Sequence, residues 1–578
     1  MGAIRFGGCL VERDIPCSMR DGTVLYSDVY RPSQGGAYPV LLMRQPYGKT
    51  LASTVTQAHP VWYAQQGFIV VIQDVRGRGE SEGEFDPFVR EADDGYDAVE
   101  WAAALPGSNG HVGMYGFSYQ GCTQWAAASK APPSLKAIAP GMCGSDVYHG
   151  MIYPQGRFAA GEHVPWAFQL ARDEARRAGD AKAEAYCTLV RKSTPDELLY
   201  PVMEDGSHPI LQTYFPAFRE WREHAEYDAY WERRSWTQNF LKHPIPAFLI
   251  GGWYDVFLAG TISDYERLSA IERSGDLFFK LMIGPWDHIP WGRHSGGHDH
   301  GEEADGDIHV EQAAWFRYWL DPNRQPGKPA EPEVACYERG SGRWRTYRQL
   351  SAASGTGRTA RYWLDRKGKP ANGASGGGRL TERQPAAAQV RPDVFVYDAR
   401  FPMKLEGFQP KDRRTEQDRY EKLVYTGDAM EEDARLFGAI RLSVQVQTIG
   451  GPTDVAAIVS VVRLDGSALF LTAGIAETEA EADDRGQWQT LRLKLRPVAI
   501  ELKAGERLRL ELTGSAYPLF ACHPNGRPAS EARLANAGEL MMASVSVNYG
   551  GSVLELPLMK MEVEAECISL AMAETTGT

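Results

Sequence analysis

Short apolar runs alternate with helical stretches in the first third of the chain, and this alternation limits the possible folds more than any other feature. The runs are Pro39–Met43 (PVLLM), Phe68–Ile72 (FIVVI), His111–Tyr115 (HVGMY) and Lys136–Ala139 (KAIA). Between the second and third runs, Asp93–Ala104 places Tyr96, Val99 and Ala103 at helical spacing. Parallel strands need a crossover connection, which is usually a helix, so this order of elements predicts a parallel sheet.

Two further strand candidates follow much later, at Pro246–Gly251 (PAFLIG) and Leu277–Ile283 (LFFKLMI). The stretch between them and the first group, residues 145–242, is rich in Ala, Arg, Glu, Trp and Tyr and carries few strand signals. Segments such as LARDEARRAGDAKAEAYCTLVRK and FREWREHAEYDAYWERR within it predict helices. A helical block between two sheet-forming regions predicts a core domain that is interrupted by a cap.

The C-terminal part of the chain has a different period, because apolar and polar residues alternate along it. The apolar members are Ile440, Leu442, Val444 and Val446, then Leu491, Leu493 and Leu495, then Leu508, Leu510 and Leu512. This alternation indicates half-buried antiparallel strands, and several of them predict a sandwich or jelly roll. The Gly-, Ala- and Pro-rich segment Lys367–Gln389 predicts a surface loop.

These patterns together predict a division of the chain into domains. We expect residues 1–144 and 243–330 to form the two parts of one sheet domain, 145–242 the helical cap, and 331–578 an all-β domain. A chain of 578 residues is long enough for about three to four domains.

Composition excludes several classes of protein. The net charge is −13, from 62 basic and 75 acidic residues, which argues against a nucleic-acid partner. No apolar run approaches the roughly 20 residues of a membrane span, and the N-terminus lacks the pattern of a secretion signal. The eight cysteines are sparse and form no CxxC pair, so we expect a cytoplasmic protein with reduced thiols.

The stretch GHVGMYGFSYQGCTQWAAA, which starts at Gly110, carries the candidate nucleophile. A predicted strand ends at Tyr115, Ser118 follows, and an Ala-rich helix begins after it, which is the context of a nucleophile elbow. Gly116 provides the small residue that this sharp turn needs two positions before the serine. Gln120 occupies the place of the usual second glycine, and Gly121 comes one residue late. The alternative is that Ser118 only caps the helix.

A serine nucleophile needs a base, and the base needs an orienting acid. Asp255 follows the PAFLIG strand and His288 follows the LFFKLMI strand. Sites in open parallel sheets lie beyond the carboxyl ends of the strands, where Ser118 also falls. Asp287 is an alternative acid, but adjacent side chains rarely orient one another well, so Asp255 is preferred.

A second cluster of polar residues resembles a metal site. Its members are His294, His298, His300, Glu302 and Glu303. The segment is Gly-rich and lacks the i, i+4 spacing of ligands on a helix, so we expect an exposed loop and no metal.

Acyl transfer also needs donors for the developing oxyanion. The backbone N–H of Tyr119, the residue after the candidate nucleophile, is one by geometry. Tyr47, in the loop after the PVLLM strand, can supply the second through its phenolic O–H. A packed aromatic is an equally good interpretation of Tyr47 from the residues alone.

Taken together, these motifs resemble the cocaine-esterase-like (CocE/NonD) serine hydrolases, relatives of X-prolyl dipeptidyl peptidases and α-amino-acid ester hydrolases. RQPYGK, QDVRGRGESEGEF, GMYGFSYQG, GGWYDVF and GPWDH are similar to the family's signature stretches, and VYTGDAMEEDARLFGAIRLSVQV resembles its C-terminal domain. The resemblance implies an α/β-hydrolase fold with an inserted helical cap and a C-terminal jelly roll of the galactose-binding type. It also implies a triad of Ser118, Asp255 and His288, an oxyanion role for Tyr47, and hydrolysis through an acyl-enzyme without a metal or organic cofactor.

The substrate is predicted less sharply than the chemistry. Aromatic residues make up 11% of the chain, and they cluster beside the triad and in the cap. We expect Phe257, Trp166, Trp253 and Trp286 to line a pocket for an aromatic or other apolar acyl group, although ordinary packing explains them equally well. The α-amino-acid ester hydrolases continue with acidic residues after the catalytic Asp, whereas Val256 and Phe257 stand here.

Three functions remain open from the sequence. The first is an esterase of small-molecule carboxylic esters. The second is an amidase or peptidase of the same fold, of the X-prolyl dipeptidyl peptidase or β-lactam acylase type. The third is a non-catalytic carbohydrate-binding protein, against which an intact triad argues. The sequence leaves open whether the protein is a homo-oligomer.

Overall fold

The computed structural model describes residues 4–50, 56–192, 208–271, 276–289, 291–325, 327, 329, 333–347, 350, 358–385, 391–479, 487–529 and 539–559. Most of its strands lie in a large central sheet and in a separate all-β region. The central sheet runs in the order β1-β2-β3-β5-β4-β6-β7-β8-β9-β12-β13. Its strands are β1 (Ile4–Phe6), β2 (Cys9–Ser18), β3 (Val24–Pro32), β4 (Tyr38–Gln45), β5 (Ile69–Asp74), β6 (Ser108–Phe117), β7 (Leu135–Gly141), β8 (Ala247–Gly252), β9 (Phe279–Gly284), β12 (Val334–Glu338) and β13 (Arg343–Tyr347).

The strands from β5 across to β12 are parallel, as the alternation of strands and helices predicts. All six predicted apolar runs lie on these strands or overlap them by most of their length. The runs are continuous because both faces are covered: Val40 and Leu42 pack into one core, whereas Leu41 and Met43 pack into the core on the opposite face.

Helices cover the two faces of the sheet. One core contains α2 (Glu91–Ala103) and α3 (Tyr119–Ala128), and the other contains α1 (Pro60–Gln65) and α11 (Ile308–Trp319). The buried face of α2 differs in part from the prediction. Val99 is buried together with Ala98 and Ala102, whereas Tyr96 is only half-buried, and the Arg20 guanidinium lies over its ring.

The chain between β7 and β8 is helical, as predicted, over its described residues. A π-helical turn at Tyr148–Ile152 and a 3-10 turn at Pro154–Gly156 lead into the helices. The helices are α4 (Ala160–Arg177), α5 (Ala181–Lys192), α6 (Pro209–Tyr214), α7 (Ala217–Glu223), α8 (Ala229–Glu232) and α9 (Thr237–Lys242), and α10 (Leu258–Ser269) follows β8. Buried Trp221 stacks on Trp166 with ring centroids 5.7 Å apart, so the aromatic residues of this insertion form much of its core.

Where the structure describes it, the C-terminal region consists mainly of β-strands and contains the short helix α12 (Arg414–Gln417). Its main sheet follows the order β21-β20-β23-β18-β15-β14-β25-β19-β22, and β16 also pairs with β25. The strands are β14 (Arg358–Arg366), β15 (Gly378–Thr381), β16 (Asp393–Asp398), β17 (Lys404–Leu405), β18 (Leu423–Gly427), β19 (Ala434–Ile449), β20 (Asp454–Val462), β21 (Ala468–Glu477), β22 (Gln489–Leu502), β23 (Arg507–Thr513), β24 (Tyr517–Pro518) and β25 (Met542–Met559).

The period-two alternation in this region is confirmed. The apolar members of the three predicted runs are buried on β19, β22 and β23. The predicted loop Lys367–Gln389 is wrong in part, because it contains β15; residues 386–389 of that loop lie outside the described residues, as does the predicted domain border at 330/331. A Cβ on Gly378 would lie 2.1 Å from the Val424 carbonyl oxygen, so the glycine that suggested a loop instead permits close pairing of strands.

The short strands β10 (His294–Ser295) and β11 (His298–Asp299) form a separate two-stranded hairpin. None of the helices in the described ranges combines the length and the hydropathy that crossing a membrane requires.

Candidate active site

Ser118 stands at a sharp turn between β6, which ends at Phe117, and α3, which begins at Tyr119. Its φ of 57° and ψ of −126° are strained for a residue with a side chain. A Cβ on Gly116 would lie 2.6 Å from the Gln120 Cβ, and one on Gly121 would lie 2.4 Å from the Cys143 Sγ. Both glycines are therefore required by the close approach of the chain around the serine.

Gln120 has a structural role at the position where a second glycine is usual. Its Oε1 accepts a hydrogen bond of 3.2 Å from the Phe117 N–H, across the turn that carries Ser118. The departure from GxSxG therefore stabilises the turn.

Asp255 and His288 approach Ser118 from the ends of β8 and β9. His288 Nδ1 lies 2.8 Å from Asp255 Oδ1, and His288 Nε2 lies 3.0 Å from Ser118 Oγ. A carboxylate only accepts, so Nδ1 carries the proton and Nε2 is free to accept from the serine hydroxyl. The three side chains thus form one hydrogen-bonded chain.

The loops that carry the acid and the base are fixed to each other through their backbones. The Trp253 N–H donates to the Gly284 carbonyl at 2.8 Å, and the Tyr254 N–H donates to the Trp286 carbonyl at 2.9 Å. Parallel pairing of β8 with β9 brings the two loops to the same edge of the sheet.

The groups around His288 favour its protonated form. Burial lowers the pKa of His288, but the hydrogen bond to Asp255 and the negative charges of Asp255, Glu162 and Asp287 outweigh it, so the pKa is raised. Asp287, the alternative acid, instead accepts from the Ile289 N–H. Burial is also the main reason that the pKa of the Asp287 carboxyl is raised.

Tyr47 and Tyr119, the two predicted oxyanion donors, line the same cavity as Ser118. The Trp166 Nε1–H donates to the Tyr47 hydroxyl oxygen at 3.0 Å, which leaves the Tyr47 hydrogen free to donate elsewhere. Burial raises the pKa of Tyr47 strongly, so the phenol stays protonated at neutral pH. The Tyr119 N–H has no acceptor within the described part of the chain.

A cavity of about 390 Å³ opens onto these groups. It is lined by Tyr47, Phe88, Phe117, Ser118, Tyr119, Gln120, Met151, Gly161, Glu162, His163, Pro165, Trp166, Gln169, Arg191, Phe257, His288 and Ile289. Glu162, Trp166 and Gln169 follow one another at helical spacing, so one face of α4 forms a wall of the cavity. Phe257 packs edge-on to the His288 ring, with centroids 4.9 Å apart.

Two of the four predicted pocket residues lie elsewhere. Trp253 and Trp286 are buried outside the cavity wall, and each donates its indole N–H to a carbonyl, of Tyr337 at 2.7 Å and of Ala304 at 2.8 Å. A Cβ on Gly284 or Gly306 would lie within 2.4 Å of the Trp286 ring. The prediction that Trp253 and Trp286 line the pocket is therefore wrong. Both lie in the core, where buried indoles usually have a partner for their N–H group.

Sequence reasoning missed four polar residues of the cavity: Glu162, His163, Gln169 and Arg191. The carboxyl group of Glu162 has no hydrogen-bond partner within the described ranges. His163 places Nε2 3.0 Å from the Met151 carbonyl, stacks on Phe257, and has its pKa lowered by burial to about 4, so it is neutral. The four-residue spacing of Glu162 and Trp166 could have suggested Glu162 once Trp166 was suspected.

The histidine cluster lies in the hairpin of β10 and β11. His294 is exposed and its Nε2 lies 3.5 Å from an Asp299 oxygen, and His298 packs edge-on to His300. Among the residues that the structure describes, no group of three or more His, Cys, Asp or Glu side chains is arranged to hold a metal ion.

A serine, a histidine and an aspartate in one hydrogen-bonded chain, at the carboxyl ends of parallel strands, are the arrangement that serine hydrolases use. The profile of the X-Pro dipeptidyl-peptidase (S15) family matches residues 21–290, and that of the X-Pro dipeptidyl-peptidase C-terminal non-catalytic domain matches residues 326–539. The chain is 27% identical to cocaine esterase from Rhodococcus sp. (strain MB1 Bresler) over 548 residues, which cover 90% of this chain and 93% of the esterase.

Solved structures share the fold over nearly the whole chain. An aminopeptidase from a marine sediment Thaumarchaeota archaeon has a TM-score of 0.77 at 21% identity and covers 96% of this chain and 97% of its own. An α-amino acid ester hydrolase has a TM-score of 0.74 at 20% identity, covering 95% and 97%. A CocE/NonD family hydrolase from Staphylococcus aureus has a TM-score of 0.65 at 18% identity, covering 95% and 94%. This chain belongs to the cocaine-esterase-like (CocE/NonD) hydrolase family, which is related to the X-Pro dipeptidyl peptidases.

Proposed function

We propose that this protein is a serine hydrolase that cleaves carboxylic esters through an acyl-enzyme. Its framework would be an α/β-hydrolase fold with an inserted helical cap and a C-terminal jelly roll. The observation that carries the proposal is the chain of hydrogen bonds from Ser118 through His288 to Asp255, at 3.0 and 2.8 Å.

In the proposed reaction, Ser118 Oγ attacks the carbonyl carbon of the ester and its proton passes to His288 Nε2. The carbonyl oxygen becomes an oxyanion, to which the Tyr47 hydroxyl and the Tyr119 N–H donate. The C–O bond to the alcohol then breaks, and His288 gives its proton to the leaving oxygen. Water, deprotonated by His288, attacks the acyl-enzyme and releases the acid and Ser118.

Asp255 keeps the imidazole in the productive tautomer and stabilises the imidazolium that forms after proton transfer. Its side chain is fully buried and accepts from His288 Nδ1. The strained backbone of Ser118 presents Oγ to the cavity and leaves the N–H of the following residue available.

The walls of the cavity support an aromatic or other apolar acyl group. Phe88, Phe117, Trp166 and Phe257 contribute rings around Ser118. Trp166 is held in place by its stack on Trp221 and by its hydrogen bond to Tyr47. Rigid aromatic walls favour flat apolar groups, because both surfaces are removed from water on binding.

A second candidate function is hydrolysis of esters or amides whose acyl part carries an amine. Glu162 favours it, because its carboxyl group lines the cavity and has no hydrogen-bond partner in the described chain. Burial raises the pKa of Glu162, and the charge of His288 opposes that change. A substrate ammonium between Glu162 and the aromatic rings would be held by charge and by cation–π contacts. Two structural relatives bear the names aminopeptidase and α-amino acid ester hydrolase.

A matched pair of substrates tests the two candidates. Methyl phenylacetate and phenylglycine methyl ester differ by one α-amine, and the corresponding anilides test amide cleavage. The ester proposal expects phenylacetate to have the higher kcat/KM, with little effect of E162Q. The second candidate expects the amine substrate to be preferred and E162Q to reduce that preference about tenfold or more.

The controls for this assay are S118A and E223Q. S118A must abolish turnover of every substrate, whereas E223Q neutralises a carboxylate that does not line the cavity and that pairs with Arg219 on α7. Failure of the wild type to hydrolyse any substrate, together with failure of a fluorophosphonate to label Ser118, would contradict the hydrolase proposal.

A further inference from the structure

Arg496, in the all-β region, contacts the loop that carries Asp255, the acid of the proposed triad. In the sequence of β22, Arg492, Lys494 and Arg496 alternate with leucines, but the pairing of β22 with β19 shifts register between Lys494 and Pro497, and Leu495 and Arg496 are both buried. Arg492 and Lys494 are exposed, whereas Arg496 is only 6% exposed. The sequence suggests that all three cations face solvent, but Arg496 is covered by the central-sheet domain.

The Arg496 guanidinium contacts the backbone of the loop that carries Asp255. Its Nη2 donates to the Asp255 carbonyl oxygen at 2.5 Å and lies 3.5 Å from the Trp253 carbonyl oxygen. The Cζ of Arg496 also lies 3.5 Å from the ring centroid of buried Phe408. A planar guanidinium between an aromatic face and two carbonyls is rigidly held.

The same contact brings the Arg496 charge within electrostatic range of the Asp255 carboxylate, and the two side chains form no direct ion pair in the described chain. Within the described part of the chain, Asp255 Oδ2 and Arg496 Nη1 are both buried without a hydrogen-bond partner. Burial lowers the pKa of Arg496 to about 9, and the charge of Asp255 opposes that change, so Arg496 remains a cation at neutral pH. The charge of Arg339, the other nearby cation, also disfavours the Arg496 cation.

We propose that Arg496 is a positioning residue of the active site, which fixes the Asp255 loop through its carbonyls and balances the charge of the Asp255 carboxylate. The inference rests on the proposed Ser118–His288–Asp255 triad. It assigns an active-site role to a domain whose family profile is described as non-catalytic. The all-β region would then complete the active site as well as pack against it.

The sign of the electrostatic effect follows from the groups around His288. Asp255, Asp287 from its own loop and Glu162 from α4 stabilise the imidazolium, and His163 from α4 is neutral. A cation next to Asp255 opposes the imidazolium. Loss of that cation therefore raises the pKa of His288, so the base is unprotonated only at higher pH.

The test compares R496M and R496Q, which remove the charge, with R496K, which keeps it. R509M is the matched control, since Arg509 is half-buried on β23, which several strands of the same sheet separate from β22, and it bonds Thr426 and Gln417 and not the Asp255 loop. We expect the acid limb of kcat/KM to move up by roughly 0.5–1 pH unit in R496M and R496Q. In R496K the acid limb stays in place, while kcat falls roughly tenfold or more from the looser loop. R509M leaves both unchanged.

A second measurement does not depend on turnover. The imidazole signals of histidine-labelled protein, with His288 assigned from an H288Q variant, give the pKa of His288 directly by NMR. An unmoved His288 titration in folded R496M or R496Q would overturn the proposal. If neither neutral variant folds, the test falls to R496K, which keeps the charge; a shifted pKa of His288 in R496K would then overturn the proposal. If the wild type proves inactive, the hydrolase proposal fails, while the NMR titration still decides the contact between Arg496 and the pair Asp255–His288.

Discussion

The buried carboxylate of Glu511 in the all-β region and the carboxylates of the proposed active site are partnered differently. Glu511 on β23 accepts hydrogen bonds from Arg413 at 2.8 and 2.9 Å, from Lys422 at 3.1 Å and from Gln417 at 3.0 Å. At the active site, a carboxylate oxygen of Asp255 and the carboxyl group of Glu162 have no partner in the described chain.

The difference separates two uses of buried polarity. A fully bonded ionic cluster holds its own domain together and has no capacity left for a ligand. Incomplete bonding and a strained Ser118 cost stability, and they persist where a substrate or a developing charge can use them. Changes in the all-β cluster should therefore alter stability, and changes at the site should alter turnover.

The largest expected effect is on turnover. S118A and H288A should each lower kcat by roughly 10⁴ or more, because members of a triad act as a unit. The thermal midpoint should change little, because Ser118 lies at the cavity and keeps its backbone conformation. Steady-state kinetics and thermal unfolding of the same preparations check both parts. A loss in kcat of less than a hundredfold for S118A would contradict its role as nucleophile.

The converse is expected at Glu511. E511Q leaves Arg413 and Lys422 buried without their counter-charge and should lower the free energy of unfolding by about 3–5 kcal/mol. The kcat/KM of the folded fraction should stay within about twofold of the wild type, as expected for a site that is remote from the chemistry. Chemical denaturation and active-site titration measure the two quantities. A large fall in kcat/KM of the folded fraction would break the separation.

The Glu511 cluster should also make the stability of the protein depend on pH in a defined direction. Burial alone would raise the pKa of Glu511, but Arg413, Lys422 and Gln417 lower it to about 2. Its unfolded value is about 4.3, so the stabilisation is present above that pH and is lost as the pH falls toward 2. The wild type should lose stability over this window more steeply than E511Q, which lacks the titrating group.

A smaller effect on turnover is expected at the oxyanion. Y47F removes the phenolic donor while it keeps the ring that packs beside Trp166, and kcat should fall roughly 10²–10³-fold. KM should change less than kcat, because the donor acts mainly on the transition state. W166F is the companion variant, since it removes the N–H that orients the Tyr47 hydroxyl. A loss below tenfold in Y47F would remove Tyr47 from the oxyanion role.

The central sheet and the alternation of the all-β strands could be predicted because each is a local pattern. Continuous apolar runs such as Val40–Met43 require cover on both faces, and period-two alternation requires one buried face. The proximity of Ser118, Asp255 and His288 followed from the rule that the ends of parallel strands meet at one edge. These inferences need only the order of elements along the chain.

What the sequence could not give depends on contacts between distant segments. Trp253 and Trp286 stand next to the site residues in the sequence, yet their indoles turn into the core, where carbonyls accept their N–H groups. Glu162 reaches the cavity through the placement of α4. Arg496 continues the sequence alternation of Arg492 and Lys494, but a register shift on β22 and the contact with the Asp255 loop bury it. Neighbours in sequence predict neighbours in space poorly at loops, where the chain direction changes within one or two residues.

The smallest expected effect concerns the one departure from the usual elbow motif. Q120G recreates GxSxG but removes the acceptor of the Phe117 N–H, so the free energy of unfolding should fall by about 1–2 kcal/mol. The kcat should stay within about threefold of the wild type, because Ser118 remains at its turn between β6 and α3. Denaturant unfolding and kinetics measure both quantities.

A double-mutant cycle with G116A sharpens this last prediction. A Cβ at position 116 meets the Gln120 side chain at 2.6 Å, and Gly116 has a φ of 129°, which is strained for alanine. G116A should therefore be costly in the wild type and less costly in the Q120G background, where the clash is gone and only the backbone strain remains. Additive costs would mean that Gln120 moves aside freely, and that its bond to Phe117 contributes little to the strained conformation of Ser118.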